Sequence, residues 1–230
     1  MNELLWVAML VLNFAGIIVC YRLFGKIGLF IWVPISVILA NIQVVKTIEL
    51  FGLTATLGNI VYATSFLATD ILSENYGIKE AKRAVYIGFF TLIVMAGLMN
   101  LALVFKPAPE DFAQESLLTI FNLVPRIAGA SLLAYWISQL HDVWAYQFWK
   151  RRFPSSRFIW LRNNASTIVS QLIDSVIFSL AAFAGKFPTG VLIEIVVSTY
   201  LLKVIVAVAD TPFIYFARWM KKKGVIPYRS

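Results

Sequence analysis

One polar pattern occurs twice in this chain of 230 residues, each time inside a long apolar run. A glutamine and an aspartate lie three residues apart in both copies, as Gln139 with Asp142 and as Gln171 with Asp174. At 3.6 residues per turn, this spacing places each amide and its carboxylate on one face of a helix. A carboxylate at membrane depth costs roughly 2.5 to 3.5 kcal/mol on insertion scales, so such residues indicate function rather than packing. The two patterns therefore predict a small-molecule site between two adjacent helices.

Carboxylates and amides suit a flat, polar and nearly neutral ligand. A carboxylate can accept two adjacent N–H groups from one edge of a guanine-like ring, while a glutamine amide meets the carbonyl edge. Aromatic side chains stack on the faces of such a ring. This chemistry permits a purine without identifying one. The candidate aromatic residues are Tyr62, Phe66, Tyr135, Trp136, Trp144 and Phe178.

Polar residues of the third apolar run recur in steps of three and four. Asn59, Tyr62 and Asp70 follow this spacing, together with Phe66 and Thr69. The spacing predicts a stripe on one helix that faces the rest of the bundle.

The last apolar run holds charges of both signs. Lys203 lies near its middle, where a lysine is costly without a counter-charge, and we expect it to form an ion pair with Asp174 or Asp142. Glu194 lies nearer the start of the run. The sequence Asp210–Pro212 predicts a kink or a helix end, because a proline disfavours helical geometry in the residue before it.

The single histidine, His141, lies beside Asp142. One imidazole excludes a histidine-rich metal site, although one proton-carrying group is enough for coupling to an ion gradient. Arg126, near the outer end of the fifth run, either reaches to the lipid head groups or pairs with an acid or a ligand. No metal or other cofactor is expected. The candidate coupling residues are His141, Glu194 and Asp210.

The composition places these residues in a membrane protein. Hydrophobic residues make up 60% of the chain and charged residues 14%, against roughly 45–50% and 25% in soluble domains. A membrane span needs about 20 apolar residues. We predict one all-α transmembrane domain over residues 1–230, a polytopic helical bundle of seven spans, or of six if the second run is broken or re-entrant. The predicted spans are 4–24, 28–47, 54–73, 83–105, 124–149, 163–184 and 190–219.

The basic residues predict how the chain lies in the membrane. If seven spans alternate, fifteen of the twenty Lys and Arg residues fall on one side, which the positive-inside rule assigns to the cytoplasm together with the C-terminus. Lipid head groups account for the net charge of +8. Nucleic acid is not an expected direct partner, because the chain lacks a basic soluble module laced with aromatic residues.

Three ordered motifs resemble those of the queuosine precursor transporter family, also called the vitamin uptake transporter family. They are the runs Ala68–Gly77, Arg126–Asp142 and Trp160–Asp174. The resemblance implies an inner-membrane importer of 7-cyano-7-deazaguanine, 7-aminomethyl-7-deazaguanine or both, salvaged for queuosine in tRNA. It also implies a likeness to the membrane-embedded substrate-binding subunits of energy-coupling-factor importers. The family's motif positions correspond to Asp70, Glu74, Arg126, Gln139, Asp142, Arg162, Gln171 and Asp174.

Three classes of function follow from these observations. The leading one is a transporter. The chain lacks a Walker motif, so we expect uptake by substrate exchange, by coupling to an ion gradient or with an energising partner. The protein partners considered are such an energising protein and further copies of this chain in a homo-oligomer. The second is a substrate-binding subunit that moves its ligand only with partner proteins. The third is an intramembrane enzyme, which one histidine, one cysteine and the lack of a Gly-x-Ser-x-Gly elbow disfavour. The expected substrate-binding residues are Asn59, Tyr62, Asp70, Arg126, Gln139, Asp142, Gln171, Asp174 and Lys203.

Overall fold

A computed structural model describes residues 1–44, 46–51, 53–121, 125–185 and 188–227; for 47, 53–56, 125–128, 183 and 191 it describes the backbone alone. Within these ranges the chain forms seven α-helices, a 3-10 turn and a two-stranded hairpin. The elements are α1 (Asn2–Gln43), β1 (Thr47–Leu50), β2 (Leu53–Thr56), α2 (Gly58–Asn75), α3 (Ile78–Val104), α4 (Gln114–Phe121), α5 (Pro125–Arg152), the 3-10 turn (Ser156–Phe158), α6 (Ile159–Phe183) and α7 (Thr189–Lys222).

Helix α1 consists of two arms that fold back on each other at Gly25. The backbone there has φ 59° and ψ −139°, a conformation that glycine adopts without a Cβ clash. The arms lie close together: a Cβ on Gly16 would lie 2.6 Å from the ring of Trp32, and the Cys20 thiol donates a hydrogen bond to the Gly28 carbonyl oxygen at 3.3 Å. Small residues allow this approach, so the first two predicted runs form a tight helical hairpin.

A β-hairpin occupies part of the predicted second and third spans, which is a correction to their bounds. Strands β1 and β2 pair antiparallel, with Thr47 opposite Thr56 and Leu50 opposite Leu53. The segment is rich in β-branched residues, which favour strands, and the hairpin pairs backbone groups that a frayed helix end would leave open. Consequently α1 ends at Gln43 and α2 begins at Gly58.

Helix α2 is the buried centre of the bundle. Fifteen of its eighteen residues are buried, because α1, α3, α5 and α7 all pack against it. The predicted polar stripe was therefore too narrow, since every face of α2 is covered. A helix buried on all sides is normally apolar throughout, whereas α2 buries Asp70 and Glu74. Their partners have to come from the neighbouring helices.

The architecture confirms the prediction of an all-α polytopic membrane bundle. Among the described residues, four helical segments are long and apolar enough to cross a membrane: α1, α3, α6 with the preceding 3-10 turn, and α7. The two arms of α1 count as two crossings. Helices α2 and α5 are also long enough to span the membrane, although they carry buried polar residues. Together with α3, α6 and α7 they make seven crossings, which remain the prediction. The perimeter is apolar, as a lipid-facing surface requires; Leu4, Phe90 and Leu98 are among its exposed residues.

Helices α5 and α6 are the two adjacent helices that carry the repeated pattern, and they form an antiparallel hairpin. Ser138 lies opposite Asp174 and His141 lies opposite Ser170, with hydrogen-bond distances of 3.1 and 2.9 Å. Helix α7 packs beside α6 and continues to Lys222, so of the two predicted alternatives at Asp210–Pro212, a kink or a helix end, the helix end is wrong. Proline is tolerated inside membrane helices because neighbouring side chains satisfy the backbone that it frees.

Candidate functional site

Buried polar side chains of α2, α5, α6 and α7 meet inside the bundle at three depths. We call them the Lys203 site (Tyr62, Ser138, Asp174, Lys203), the acidic cluster (Asp70, Asp142, Asp210) and the Glu74 cluster (Glu74, Lys150, Arg162, Arg218, Tyr146). The two aspartates of the repeated pattern belong to different depths. Asp142 lies four residues beyond Ser138, the partner of Asp174, which corresponds to about 6 Å along the helix axis.

The Lys203 site is a buried ion pair with two additional donors. The Lys203 ammonium pairs with Asp174 Oδ2, as the sequence predicted, and not with Asp142. The Tyr62 hydroxyl donates a hydrogen bond to Asp174 Oδ1 at 2.7 Å, and the Ser138 hydroxyl donates one at 3.1 Å. Four helices therefore converge on one carboxylate. Such satisfaction is what makes a buried ion pair tolerable, and removal of either partner leaves an uncompensated charge.

A cavity opens beside this ion pair. The empty space there is about 510 Å³, with the open solvent at its mouth included. The Tyr62 ring lies edge-on to the Tyr135 ring at 5.9 Å between centroids, and Lys203 Nζ lies 5.2 Å from the Tyr62 centroid. The polar and aromatic lining comprises Asn41, Asn59, Tyr62, Ser131, Tyr135, Asp174, Phe178 and Lys203.

The two glutamines of the repeated pattern differ in what they contact. Gln139 is fixed on α2: its amide nitrogen donates to Ser65 Oγ at 2.9 Å, and the Thr69 hydroxyl donates to its oxygen at 3.4 Å. Gln171 is fully buried, yet within the described part of the chain neither end of its amide has a hydrogen-bond partner. A buried group left in this way costs about 1–3 kcal/mol, so Gln171 is the glutamine that is free to meet a ligand or water.

The acidic cluster joins one carboxyl group from each of α2, α5 and α7. Thr167 donates a hydrogen bond to Asp70 at 3.2 Å, and the Asn163 amide donates one to Asp210 at 2.6 Å. Among the described residues neither oxygen of Asp142 makes a hydrogen bond of 3.5 Å or less with good geometry, although Asp70, Thr167, Ser166 and Ser170 lie near this carboxyl group.

These three carboxyl groups interact with one another rather than with a cation. Asp70 lies close enough to Asp142 and Asp210 for electrostatic interaction, and in the described ranges no Lys or Arg forms an ion pair with any of them. Three like charges cannot share a dry interior, because their mutual repulsion is not offset there. The cluster consequently has to hold protons or admit water. The residues that the structure describes contain no group of His, Cys, Asp and Glu arranged to bind a metal.

The Glu74 cluster closes the bundle at the end that carries most of the basic residues. The Glu74 side chain is fully buried, with Arg162 Nη2 at 3.1 Å, Lys150 Nζ at 3.5 Å and Arg218 also ion-paired to it. The Tyr146 hydroxyl donates a hydrogen bond to it at 3.3 Å. Arg162 and Glu74 occupy motif positions of the family resemblance. Sequence reasoning missed Lys150 and Arg218, because each looked like an ordinary basic residue at a membrane edge.

Other predicted residues lie elsewhere. Among the candidate aromatics, Trp136 and Trp144 are exposed at the perimeter rather than in the cavity. Glu194 is exposed on α7, outside the three clusters. His141 Nδ1 lies 2.9 Å from Ser170 Oγ, between α5 and α6. The prediction for Arg126 falls on a side chain outside the described residues.

Comparison with known proteins points to one family. A family model described as "Putative vitamin uptake transporter" matches residues 56–217, a stretch that contains every residue of the three clusters except Arg218. The "Probable queuosine precursor transporter" of Bacillus subtilis (strain 168) is 48% identical over 219 residues, covering 95% of this chain and 96% of that protein. The "Queuosine precursor transporter" of Escherichia coli (strain K12) is 28% identical over 173 residues, covering 74% and 75% respectively. No solved structure matches the chain significantly. The names of these relatives agree with the prediction of a transporter rather than an enzyme.

Proposed function

The chain belongs to the vitamin uptake transporter family, and from this premise we propose that it imports queuosine precursors across the cell inner membrane. The proposed substrates are deazaguanines, namely 7-cyano-7-deazaguanine, 7-aminomethyl-7-deazaguanine or both. The names of two relatives support the substrate class. The observation that carries the proposal is the buried Asp174 carboxylate, which lies at the wall of an aromatic-lined cavity.

The substrate is proposed to bind with its guanine-like edge on Asp174. Two adjacent N–H groups of that edge would donate to the carboxylate, which forms an ion pair with Lys203 and is held in position by Tyr62 and Ser138. The rings of Tyr62 and Phe178 line the cavity and offer faces for the heterocycle. Charge-assisted hydrogen bonds are about twice as strong as neutral ones, so this edge supplies much of the affinity.

Gln171 is proposed as the next contact on the way through. It lies three residues before Asp174, on the same face of α6 and about one helical turn deeper in the bundle. Its unpartnered amide matches a ring that carries both donors and acceptors. A substrate that moves inward from Asp174 would satisfy this amide.

Protons are proposed as the coupling ion, carried by the acidic cluster. Asp70, Asp142 and Asp210 cannot all be charged while they are dry, so opening of the bundle toward water on one side would release protons there. His141 directly precedes Asp142 in the chain and lies 2.9 Å from Ser170 Oγ, so it remains a candidate relay.

The Glu74 cluster is proposed as the cytoplasmic closure, with the C-terminus on the same side. Its ion pairs connect α2, α5, α6 and α7, so these helices would have to separate there before substrate could leave inward. The cavity beside Asp174 lies at the other end of α2, next to Asn41 and Gly58. This arrangement corresponds to a state that is open outward and closed inward.

Reconstitution into liposomes tests the proposal and separates its alternatives. Purified protein should accumulate labelled 7-cyano-7-deazaguanine unchanged, and Asp174→Asn should abolish uptake while Glu115→Gln, an exposed acid on α4, leaves it intact. Tight binding without transport would favour a subunit that needs partner proteins. Chemical alteration of the compound by protein in detergent would favour an enzyme.

A further inference from the structure

A groove at the basic end of α5 takes no part in the proposed transport site. It runs between the first turn of α3 and the last two turns of α5, and it holds about 750 Å³ of empty space, the open side included. We propose that it binds an anionic phospholipid of the cytoplasmic leaflet, with the phosphate on Arg151 and Arg152. The lining residues are Ile78, Trp144, Gln147, Phe148, Arg151 and Arg152.

The groove changes from apolar to basic along its length. It therefore complements an anionic phospholipid, which changes from apolar acyl chains to a negatively charged head group. Trp144 and Phe148 are 57% and 51% exposed, and their rings stack with centroids 5.9 Å apart. Arg151 and Arg152 follow one to two turns later, also exposed. From Trp144 to Arg151 the helix rises about 10 Å. The aromatic end faces the membrane interior and the arginines face its surface, which matches acyl chains above a head group.

The two arginines are available for an anion. Among the described residues neither Arg151 nor Arg152 forms an ion pair, although Lys150 beside them is bound to Glu74. The acid nearest in sequence to the groove on α3, Glu80, pairs with Lys26 at 3.5 Å. A guanidinium binds a phosphate through two parallel hydrogen bonds. The charge of the groove is therefore uncompensated by the protein itself.

The start of α3 supplies a second and independent feature. Gly77 is the N-cap of this helix of 27 residues and provides no side-chain hydrogen bond to its first turn. The first N–H groups of a helix have no partner within the helix, and together with the helix dipole they attract phosphates. Lys79 in the same turn is exposed. Ile78 of this turn lines the groove, so the start of α3 borders the groove that holds the arginines.

A lipid fits this groove better than a soluble anion does. A free phosphate would contact the arginines and leave the two exposed aromatic rings uncovered, whereas a phospholipid would contact the arginines and also cover the rings. Basic pockets at the cytoplasmic side of membrane helices bind acidic head groups in this way. Gln147 connects the groove to the helix core, because its amide donates to the Ser73 carbonyl oxygen at 3.1 Å. The inference depends on the proposed orientation of the chain and not on what it transports.

Native mass spectrometry of the full chain in detergent tests this proposal. Delipidated protein is titrated with phosphatidylglycerol and, separately, with phosphatidylcholine. We expect one phosphatidylglycerol to bind at least tenfold more tightly than phosphatidylcholine. Arg151→Gln with Arg152→Gln should weaken its binding by on the order of thirtyfold, the effect of two basic residues at a membrane surface. The matched control, Lys222→Gln with Lys223→Gln, removes the same charge from exposed residues at the end of α7 and should change binding less than twofold.

Three outcomes would overturn the proposal. Equal binding of the two lipids would indicate ordinary boundary lipid, and an equal loss in the control variant would indicate general electrostatics. Displacement of phosphatidylglycerol by millimolar inorganic phosphate would indicate a soluble-anion site. If the glutamine variant fails to fold, Arg151→Lys with Arg152→Lys keeps the charge but loses the bidentate geometry, and a loss of severalfold is expected.

Discussion

The ion pair of Lys203 with Asp174 allows stability and transport to be tested separately. Asp174→Asn preserves an oxygen that can accept the hydrogen bonds of Tyr62 and Ser138, but it removes the counter-charge of Lys203. Because Lys203 is buried within the bundle, we expect a loss of about 3–5 kcal/mol in the free energy of unfolding. Lys203→Met leaves the carboxylate with its two hydroxyl donors, so its loss should fall at the low end of that range.

The double variant distinguishes a true pair from two separate contributions. With both charges gone, no buried charge is left unpaired, and replacement of a buried ion pair by neutral groups is often close to neutral in stability. We therefore expect the double variant to be more stable than either single variant, which requires a coupling energy of about 3 kcal/mol or more. Uptake should remain absent in all three variants, since the substrate's carboxylate partner is missing or altered.

Two measurements on each variant check this reasoning. The midpoint of unfolding in detergent micelles reports stability, and uptake of labelled 7-cyano-7-deazaguanine into liposomes reports function. Asn100→Ala serves as the control, because among the described residues the hydrogen bond of that exposed amide goes to the Ala96 carbonyl oxygen of its own helix. A double variant that loses the sum of the two single losses would show that the charges are not coupled. Full uptake by the double variant would remove this site from transport.

Further predictions concern the other parts of the bundle. Asp142→Asn with Asp210→Asn should abolish the stimulation of uptake by an inward proton gradient while substrate exchange at equal pH continues; unchanged stimulation would contradict proton coupling. Glu74→Gln leaves Arg162 buried beside a neutral group and should lower the stability of the protein by about 3 kcal/mol or more, as measured by thermal unfolding, and an unaltered midpoint would refute that role. Gly25→Ala should destabilise the α1 turn by more than about 1 kcal/mol, because φ 59° disfavours a Cβ and Pro227 O lies 3.2 Å from its position; a stability equal to wild type would count against the hairpin.

The ion pair and the helical bundle could be predicted from the sequence because a charge in apolar surroundings is costly unless an opposite charge lies beside it. Lys203 lies in the middle of a long apolar run, so a counter-charge had to come from another helix. The spacing of glutamine and aspartate in the repeated pattern fixed which face each helix presents. These inferences need only helical periodicity and the cost of an unpaired charge.

The register between helices was not accessible in the same way. Asp174 contacts Ser138, whereas Asp142 lies at the same depth as Thr167 and Asp70. This pairing depends on the axial offset between α5 and α6, which helical periodicity does not specify. The Glu74 cluster was hidden for a related reason. Lys150 and Arg218 flank apolar runs as many basic residues do, and only the packed helices show that they turn inward onto Glu74.

The β-hairpin and the burial of α2 on every face could not be predicted from the composition of these segments. Residues 47–56 are apolar and β-branched enough to extend either neighbouring span, and the antiparallel pairing of the two strands decides against helix. The polar residues of α2 indicated one interior face, but four other helices pack around this helix and leave it no outward face.

The central claim is that the Asp174 carboxylate holds the substrate, and equilibrium binding tests it most directly. Purified wild-type protein and the charge-free double variant, Asp174→Asn with Lys203→Met, are compared for binding of 7-cyano-7-deazaguanine by isothermal titration in detergent. The account predicts that the folded double variant binds at least one hundredfold more weakly than wild type, since two charge-assisted hydrogen bonds are lost. Equal affinity of the two proteins would contradict it.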